Sequence, residues 1–406
     1  MAVGLNPPKN LRTISGVKLA TTEAGIRYEG RNDMALISFV EGSSVAGVFT
    51  NNRYCAAPVT LAKDNMSSAE PRALLINAGN ANAGTGKLGM QSARSTCAQV
   101  ANQLGLAENQ VLPFSTGVIG EQLPVEKMLH AVPSLIDGLL GDNWLAAAES
   151  IMTTDTVAKA ASEQISIDGQ AITLTGIAKG SGMICPNMAT MLAYVATDAA
   201  VEKTVLQELL ARANDASFNR ITVDSDTSTN DALILIATGK SKIDKIVDVA
   251  SEASLQLYAG LERLLIKLAT SVVRDGEGAT KFVKVSVHNA VSQSDAQSIA
   301  YSVAHSPLVK TALYASDPNW GRILAAIGKA QVEQLDLDKV DIKINALALI
   351  VQGEPAADYF EHLGKHEFGK SEIEINIDLN LGQHKHHVWT SDLSHEYVTI
   401  NADYRS

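Results

Sequence analysis

The run ISIDGQAITLTGIAKG, residues 165–180, continues into SGMICPNMATMLAYVA, residues 181–196, and the rest of the chain is read outward from it. Residues 165–167 and 171–175 flank Asp168-Gly169. An Asp-Gly pair between two short β-prone runs predicts a hairpin closed by a two-residue turn. Residues 191–196 form a second apolar, strand-like run. Between the two lies a glycine-rich turn that carries Lys179. A rigid Pro186-Asn187 step and the small residue Ala189 follow, directly before Thr190.

On either side, strands and helices alternate. Residues 34–40 and 44–49 predict neighbouring strands, and 72–76 and 110–114 two more, with Asn/Gly-rich turns after them. Residues 90–104 have helical spacing and Gly105 is placed to stop the helix. Thr197-Asp198 is placed to cap a helix through Val205, Leu206, Leu209 and Leu210. Residues 231–238 predict a strand and 255–268 an amphipathic helix. Beyond these, strands are expected at 281–288, 340–344, 372–377 and 397–400, with helices at 297–303 and 321–327. The expected class is α/β or α+β. A boundary near Asn289 would divide a domain of residues 1–288 from a smaller α/β domain of residues 289–406.

A chain of 406 residues, 46% hydrophobic and 19% charged, can bury more than one core. Its formal charge of -11 disfavours nucleic acid as a partner. Cys55, Cys97 and Cys185 are too scattered for a disulfide framework or a zinc cluster, which predicts a reducing, cytoplasmic setting. The first residues lack the apolar core of a signal peptide, and no apolar run is long enough for a membrane span.

Several motifs fail on inspection. Gly84-Thr85-Gly86-Lys87 lacks the glycine and the Ser/Thr that a phosphate loop requires at Ala81 and Leu88. Gly180-Ser181-Gly182 has Cys185 where a dinucleotide fingerprint needs its third glycine. Asp224–Ser228 opens like a calcium loop, but Thr229 and Leu235 replace its glycine and closing glutamate. His395-Glu396 has Thr399 at the second histidine position of a zinc-protease motif. His384, His386 and His387 are expected in a solvated loop.

Thr190 carries more chemistry. A mid-chain threonine is a weak nucleophile, but one whose own α-amine is free has a base beside its hydroxyl. An α-amine titrates near about 7.7–8.0, so a useful fraction is neutral in the cell. Freeing it means breaking the Ala189–Thr190 bond, which the hydroxyl can attack itself. On the residues alone, a threonine that merely opens a β-strand is the simpler reading.

The wider pattern decides between them. The segment 178–192 resembles the self-processing site of the ornithine acetyltransferase family, also called glutamate N-acetyltransferases, of arginine biosynthesis. The likeness extends through Gly47-Val48-Phe49-Thr50-Asn51-Asn52, Asn77-Ala78-Gly79-Asn80-Ala81-Asn82-Ala83, Ser115-Thr116-Gly117-Val118-Ile119-Gly120 and Met152-Thr153-Thr154-Asp155-Thr156. It continues through Arg274-Asp275-Gly276-Glu277-Gly278-Ala279-Thr280-Lys281, Asp317-Pro318-Asn319-Trp320-Gly321-Arg322 and Ile400-Asn401-Ala402-Asp403-Tyr404-Arg405-Ser406. Cys185 and Ser391 depart from it slightly.

The resemblance implies an αββα sandwich like that of N-terminal-nucleophile hydrolases, with different connectivity. It implies cleavage into an α chain, 1–189, and a β chain from 190, assembled as a heterotetramer of two α and two β chains. Thr190 would be the nucleophile, moving acetyl from N-acetylornithine to glutamate. Thr116 and Gly117 would form the oxyanion hole. Thr153, Lys179, Thr190, Glu277, Asn401 and Ser406 would bind substrate, and a C-terminal extension should disturb Ser406. No metal or bound cofactor is implied. Some members also acetylate glutamate from acetyl-CoA, and no coenzyme A motif assigns this chain to either class. The competing expectations are a self-processing aminopeptidase or amidohydrolase of related fold, and a binding protein that keeps the scaffold without the cleavage.

Overall fold

The structure is a computed structural model that describes residues 2–185 and 191–404, so Ala189, Thr190 and Ser406 lie outside the described residues. The chain forms two compact units. One comprises residues 6–219 and 226–272; the other comprises 1–5, 220–225 and 273–406.

The first unit is built on two sheets. A four-stranded sheet has the order β1 (Val17–Thr22), β2 (Met34–Phe39), β4 (Ala73–Asn80), β5 (Val111–Val118). A five-stranded sheet has the order β3 (Ser44–Phe49), β9 (Ala232–Ala237), β8 (Leu192–Thr197), β7 (Gln170–Lys179), β6 (Lys159–Ile167). Their inner faces share one apolar core, in which Ile37, Leu74 and Phe114 of the first sheet meet Ile177, Tyr194 and Ile234 of the second. The Phe114 and Tyr194 rings meet edge-on at 5.2 Å, joining the two sheets.

The outer faces are covered by helices. Residues of β2, β4 and β5 that point the other way, such as Leu36, Leu75 and Val111, pack against α2 (Gly86–Leu104) and α3 (Val125–Asp137). Leu61 of α1 (Ala57–Ser68) joins that outer core, while Trp144 of α4 (Trp144–Ser150) enters the inner one. Strands buried on both faces lose the apolar/polar alternation of a half-exposed strand, which is why β2 reads as a nearly continuous apolar run. On the other sheet, α5 (Lys203–Ala216) sends Gln207 to bond both the N–H and the C=O of Gly47 in β3. The helix α6 (Glu252–Arg274) lies so close to β6 and β7 that a Cβ on Gly260 would sit 2.8 Å from Ile165, and one on Gly176 would sit 3.1 Å from Leu268. The layers are therefore α, β, β, α.

The local signals hold where turn chemistry is strong. Ile167 pairs with Gln170 around Asp168 (φ 50) and Gly169 (φ 74), the positive-φ pair of a type I′ turn. Gly105 ends α2 in the left-handed conformation. The cap expected at Thr197-Asp198 is not formed. Asp198 Oδ1 accepts the Thr173 N–H on β7, and α5 starts five residues later, after Glu202.

The second unit has a six-stranded sheet in the order β13 (Glu354–Pro355), β12 (Leu347–Val351), β11 (Asp341–Ile344), β14 (Glu372–Asp378), β10 (Phe282–Ala290), β15 (His384–Ser391). Its core joins Val285, Ile342 and Ile375 to Ile299 and Val303 of α7 (Gln293–Ala304), Leu313 of α8 (Pro307–Tyr314), Ile327 of α9 (Trp320–Gly328) and Phe368 of α10 (Glu361–Phe368). A boundary at Asn289 would cut β10 away from its sheet. The units instead divide at 272/273, so β10 stays with its partners β14 and β15.

Two further expectations are corrected here. The histidine segment is not a solvated loop but β15, with His386 and His387 largely buried. His386 takes a contact from Gln293 and His387 from Arg220, each at 3.2 Å. Burial, aided by the Arg220 charge, lowers both imidazoles, to about 4 and about 3, so they pack as neutral groups. Residues 397–400 are not a strand but part of α11 (His395–Ala402). The β-branched run Val398-Thr399-Ile400 favours a strand locally, yet it takes no place in the sheet, and Asn401 Nδ2 bonds back to the Tyr397 carbonyl.

No helix among the described residues is long and apolar enough to cross a membrane. Among them, no group of three or more His, Cys, Asp or Glu is placed to hold a metal ion.

Candidate active site

The first unit brings three of the expected residues together, two on strands and Thr153 in the segment between α4 and β6. Lys179 closes β7, and its Nζ donates to Thr116 Oγ1 on β5 at 2.9 Å and to Thr153 Oγ1 at 3.2 Å. Met191, the residue that follows Thr190, shares a small cleft with Thr116, Lys179, Gly180 and Asp231.

The backbone at Thr116-Gly117 is set by parallel pairing with β4, where Ala78 faces Thr116 and Gly79 faces Gly117. The register shifts at Asn80, a bulge that ends the ladder. Gly117 has φ +131, and a Cβ there would sit 2.3 Å from the Gly79 carbonyl carbon and 2.5 Å from Asn80 N. No side chain fits this approach of two backbones, so glycine is a steric requirement.

Asparagines hold the surrounding turns. Asn77 Oδ1 accepts from Ser115 Oγ at 2.6 Å, and Asn77 Nδ2 donates to Asn80 O at 2.9 Å. Asn230 Nδ2 donates to Ala81 O at 2.6 Å and to Ser115 O at 2.9 Å, tying β9's approach to both neighbouring turns. These bonds satisfy buried carbonyls that no ladder reaches.

Asp155 organises the lysine side. Its Oδ1 accepts from Lys159 Nζ at 2.6 Å and from the Gly180 N–H at 2.7 Å, and its Oδ2 accepts from the Thr153 N–H at 3.0 Å. One carboxylate thus fixes Thr153 and the residue after Lys179. Burial works to raise Asp155. The charges of Lys159 and Lys179 and the bonds from Lys159 and Gly180 outweigh it, holding the carboxyl well below the usual range.

Glu277 and Asn401 come together within the second unit, with Asn401 Nδ2 donating to Glu277 Oε2 at 2.7 Å. The turn at Gly278 (φ +67) presses on the start of α11, where a Cβ would lie 2.6 Å from both Ser394 Oγ and Tyr397 N. Ser394 Oγ donates to the Gly278 carbonyl at 2.7 Å.

Sequence reading missed Asp155, Lys159, Asn230 and Asp231. The only signal for Asp231 is position: a carboxylate set directly against the apolar run of β9.

An αββα sandwich with a lysine, two hydroxyls and a sterically required glycine gathered at its strand ends defines an enzyme of the acyl-transfer class. The family is settled by sequence. The chain belongs to the ArgJ family, whose model matches residues 18–406. It is 51% identical to the arginine biosynthesis bifunctional protein ArgJ of Pseudomonas fluorescens (strain Pf0-1), and 50% identical to that of Pseudomonas syringae pv. tomato (strain ATCC BAA-871 / DC3000). Both matches cover all of each chain. The crystal structure of the arginine biosynthesis bifunctional protein ArgJ from Bacillus halodurans is 36% identical, with a TM-score of 0.50. It covers 52% of this chain and 99% of the solved one.

Proposed function

We propose that this chain is the acetyltransferase of arginine biosynthesis that cuts itself between Ala189 and Thr190 and then carries acetyl on Thr190. N-acetylornithine gives its acetyl group to the Thr190 hydroxyl, ornithine leaves, and glutamate takes the acetyl to become N-acetylglutamate. Dividing one amide exchange into two ester steps gives ping-pong kinetics. The observation that carries this proposal is the contact of Lys179 with Thr116 and Thr153 beside Met191.

Within that scheme each residue has a task. Thr116 and the Gly117 N–H stabilise the tetrahedral oxyanion, where one such donor is worth roughly 10²–10³ in rate. Lys179 pairs with the α-carboxylate common to both substrates, and Thr153 contributes its hydroxyl. By their match to the family pattern, Glu277, Asn401 and Ser406 are also assigned to substrate binding. The two pieces assemble as a heterotetramer of two α and two β chains. No bound cofactor is required, and acetyl-CoA is tested as a second donor.

The test is a denaturing gel with an activity assay. Wild-type protein should run as two pieces and transfer acetyl from N-acetylornithine to glutamate, and Thr190→Ala should stay whole and inactive. Full-rate acetate release without glutamate would make the protein a hydrolase instead. One intact band with no turnover would make it a binding protein. Glutamate acetylation with acetyl-CoA as sole donor separates the one-donor from the two-donor enzyme.

A further inference from the structure

Self-cleavage poses a problem that acetyl transfer does not. Before the cut, the α-nitrogen of Thr190 is tied up in an amide, and an amide nitrogen does not accept a proton. The base that serves the mature enzyme does not yet exist, so another group must take the hydroxyl proton.

Buried carboxylates in the first unit differ in how they are occupied. Asp33 accepts the N–H groups of Ala24 and Ile26 at 2.7 and 2.6 Å. Asp155 accepts from Lys159, Gly180 and Thr153, as described. Asp231 is only 3% exposed, yet its Oδ2 has no hydrogen-bond partner among the described residues. Leaving a buried polar atom unpaired is costly and calls for an explanation.

Its position is firmly set. The Asp231 carbonyl accepts the Thr50 N–H at 3.0 Å, and the preceding Asn230 is anchored at Ala81 and Ser115. The next residue, Ala232, donates its N–H to Met191 O at 2.9 Å, continuing the parallel pairing of Leu192 with Ala232. Asp231 is therefore level with Met191, the second residue after the bond to be cut, and lines the same cleft as Thr116 and Lys179. Burial raises its carboxyl well above the ordinary value, opposed by the Ser228 hydroxyl and the Lys179 charge. A carboxylate with raised proton affinity is a stronger base than one in water.

We propose that Asp231 is the proton acceptor of the self-cleavage step. It stands on the self-cleavage proposed above. As the Thr190 Oγ–H proton passes to Asp231 Oδ2, Oγ bonds to the Ala189 carbonyl carbon. When the tetrahedral intermediate collapses, the C–N bond breaks and the same proton goes to the departing α-nitrogen. An Ala189–Oγ ester and a free amine remain. Water then hydrolyses the ester, releasing the Ala189 carboxylate and restoring the hydroxyl.

The experiment follows cleavage of the full chain made by cell-free translation, over time and across pH, on denaturing gels. The charged group facing Asp231 is Lys179 of β7, which also acts on Asp155, itself paired with Lys159. Wild-type cleavage should speed up with pH along a single ionisation. Asp231→Asn should slow it by about 10²-fold or more and remove that ionisation. Asp231→Glu should recover part of the rate. Wild-type cleavage that is flat with pH, or Asp231→Asn precursor cleaving at the wild-type rate, overturns the assignment. Should Asp231→Asn fail to fold, the wild-type pH profile still decides. Thr190→Ala run in parallel tests the underlying self-cleavage: splitting at the same bond would point to a foreign protease, whereas an intact Thr190→Ala beside a fast Asp231→Asn would remove only Asp231's role.

Discussion

Asp155 and Asp231 are two fully buried carboxylates that both feel the charge of Lys179, yet burial has opposite outcomes for them. Asp155 sits among the Lys159 ammonium and two N–H groups and stays ionised. Asp231 has an oxygen with no partner among the described residues, and burial raises its affinity for a proton. The difference lies in the supply of donors, since depth is the same. A saturated carboxylate is a fastener; one left short of partners is available for chemistry.

The largest effect should come from removing the fastener. Asp155→Asn leaves Lys159 buried without its counter-charge and should cost about 3–5 kcal/mol in urea unfolding. A loss under about 1 kcal/mol would mean that water reaches Lys159 and that the two corners are less different than they look. Next is Gly117→Ala, whose Cβ would collide with β4. Acetyl transfer should fall roughly 10²–10³-fold, with steady-state kinetics as the readout. Asn230→Ala deprives the buried carbonyls of Ala81 and Ser115 of a donor and should cost about 2 kcal/mol, seen as a lower melting temperature.

The smallest effect separates the two carboxylates by sign. Asp155 has a folded pKa below the ordinary 3.8, so its stabilisation is present above that value and lost as pH falls through the folded one. Asp231 has a folded pKa above 3.8, so its contribution is full below 3.8 and lost as pH rises through the folded value. Below pH 3.8 Asp231→Asn should change stability by no more than about 1 kcal/mol, and above pH 3.8 it should remove the wild type's downward slope. Melting temperatures across pH measure this directly, and an unchanged slope would mean that Asp231 is not neutral in the folded protein.

Much of this was legible in the chain. The Asp168-Gly169 hairpin and the stop at Gly105 are written in turn residues, which act locally, whereas Thr116 and Lys179, read as turn residues, lie within β5 and at the end of β7. The errors share one cause. His386, His387 and the run from Val398 to Ile400 adopt structures set by distant partners: β10 pairs with β15, and among the described residues no strand pairs with the segment that became α11. The boundary at Asn289 failed for the same reason, since β10's neighbours come from residues far along the chain. Asp155 and Asp231 were invisible as a pair because only folding surrounds one with a lysine and two N–H groups and leaves an oxygen of the other without a partner among the described residues.

The interleaved order of the five-stranded sheet has a last consequence. A break after Ala189 would assign β3, β6 and β7 to one polypeptide and β8 and β9 to the other. Both the β3–β9 and β7–β8 seams would then join separate molecules. Such halves are born in equal number, already zipped, and cannot trade mates without dissolving the sheet. Size-exclusion chromatography in native buffer should return them as one species.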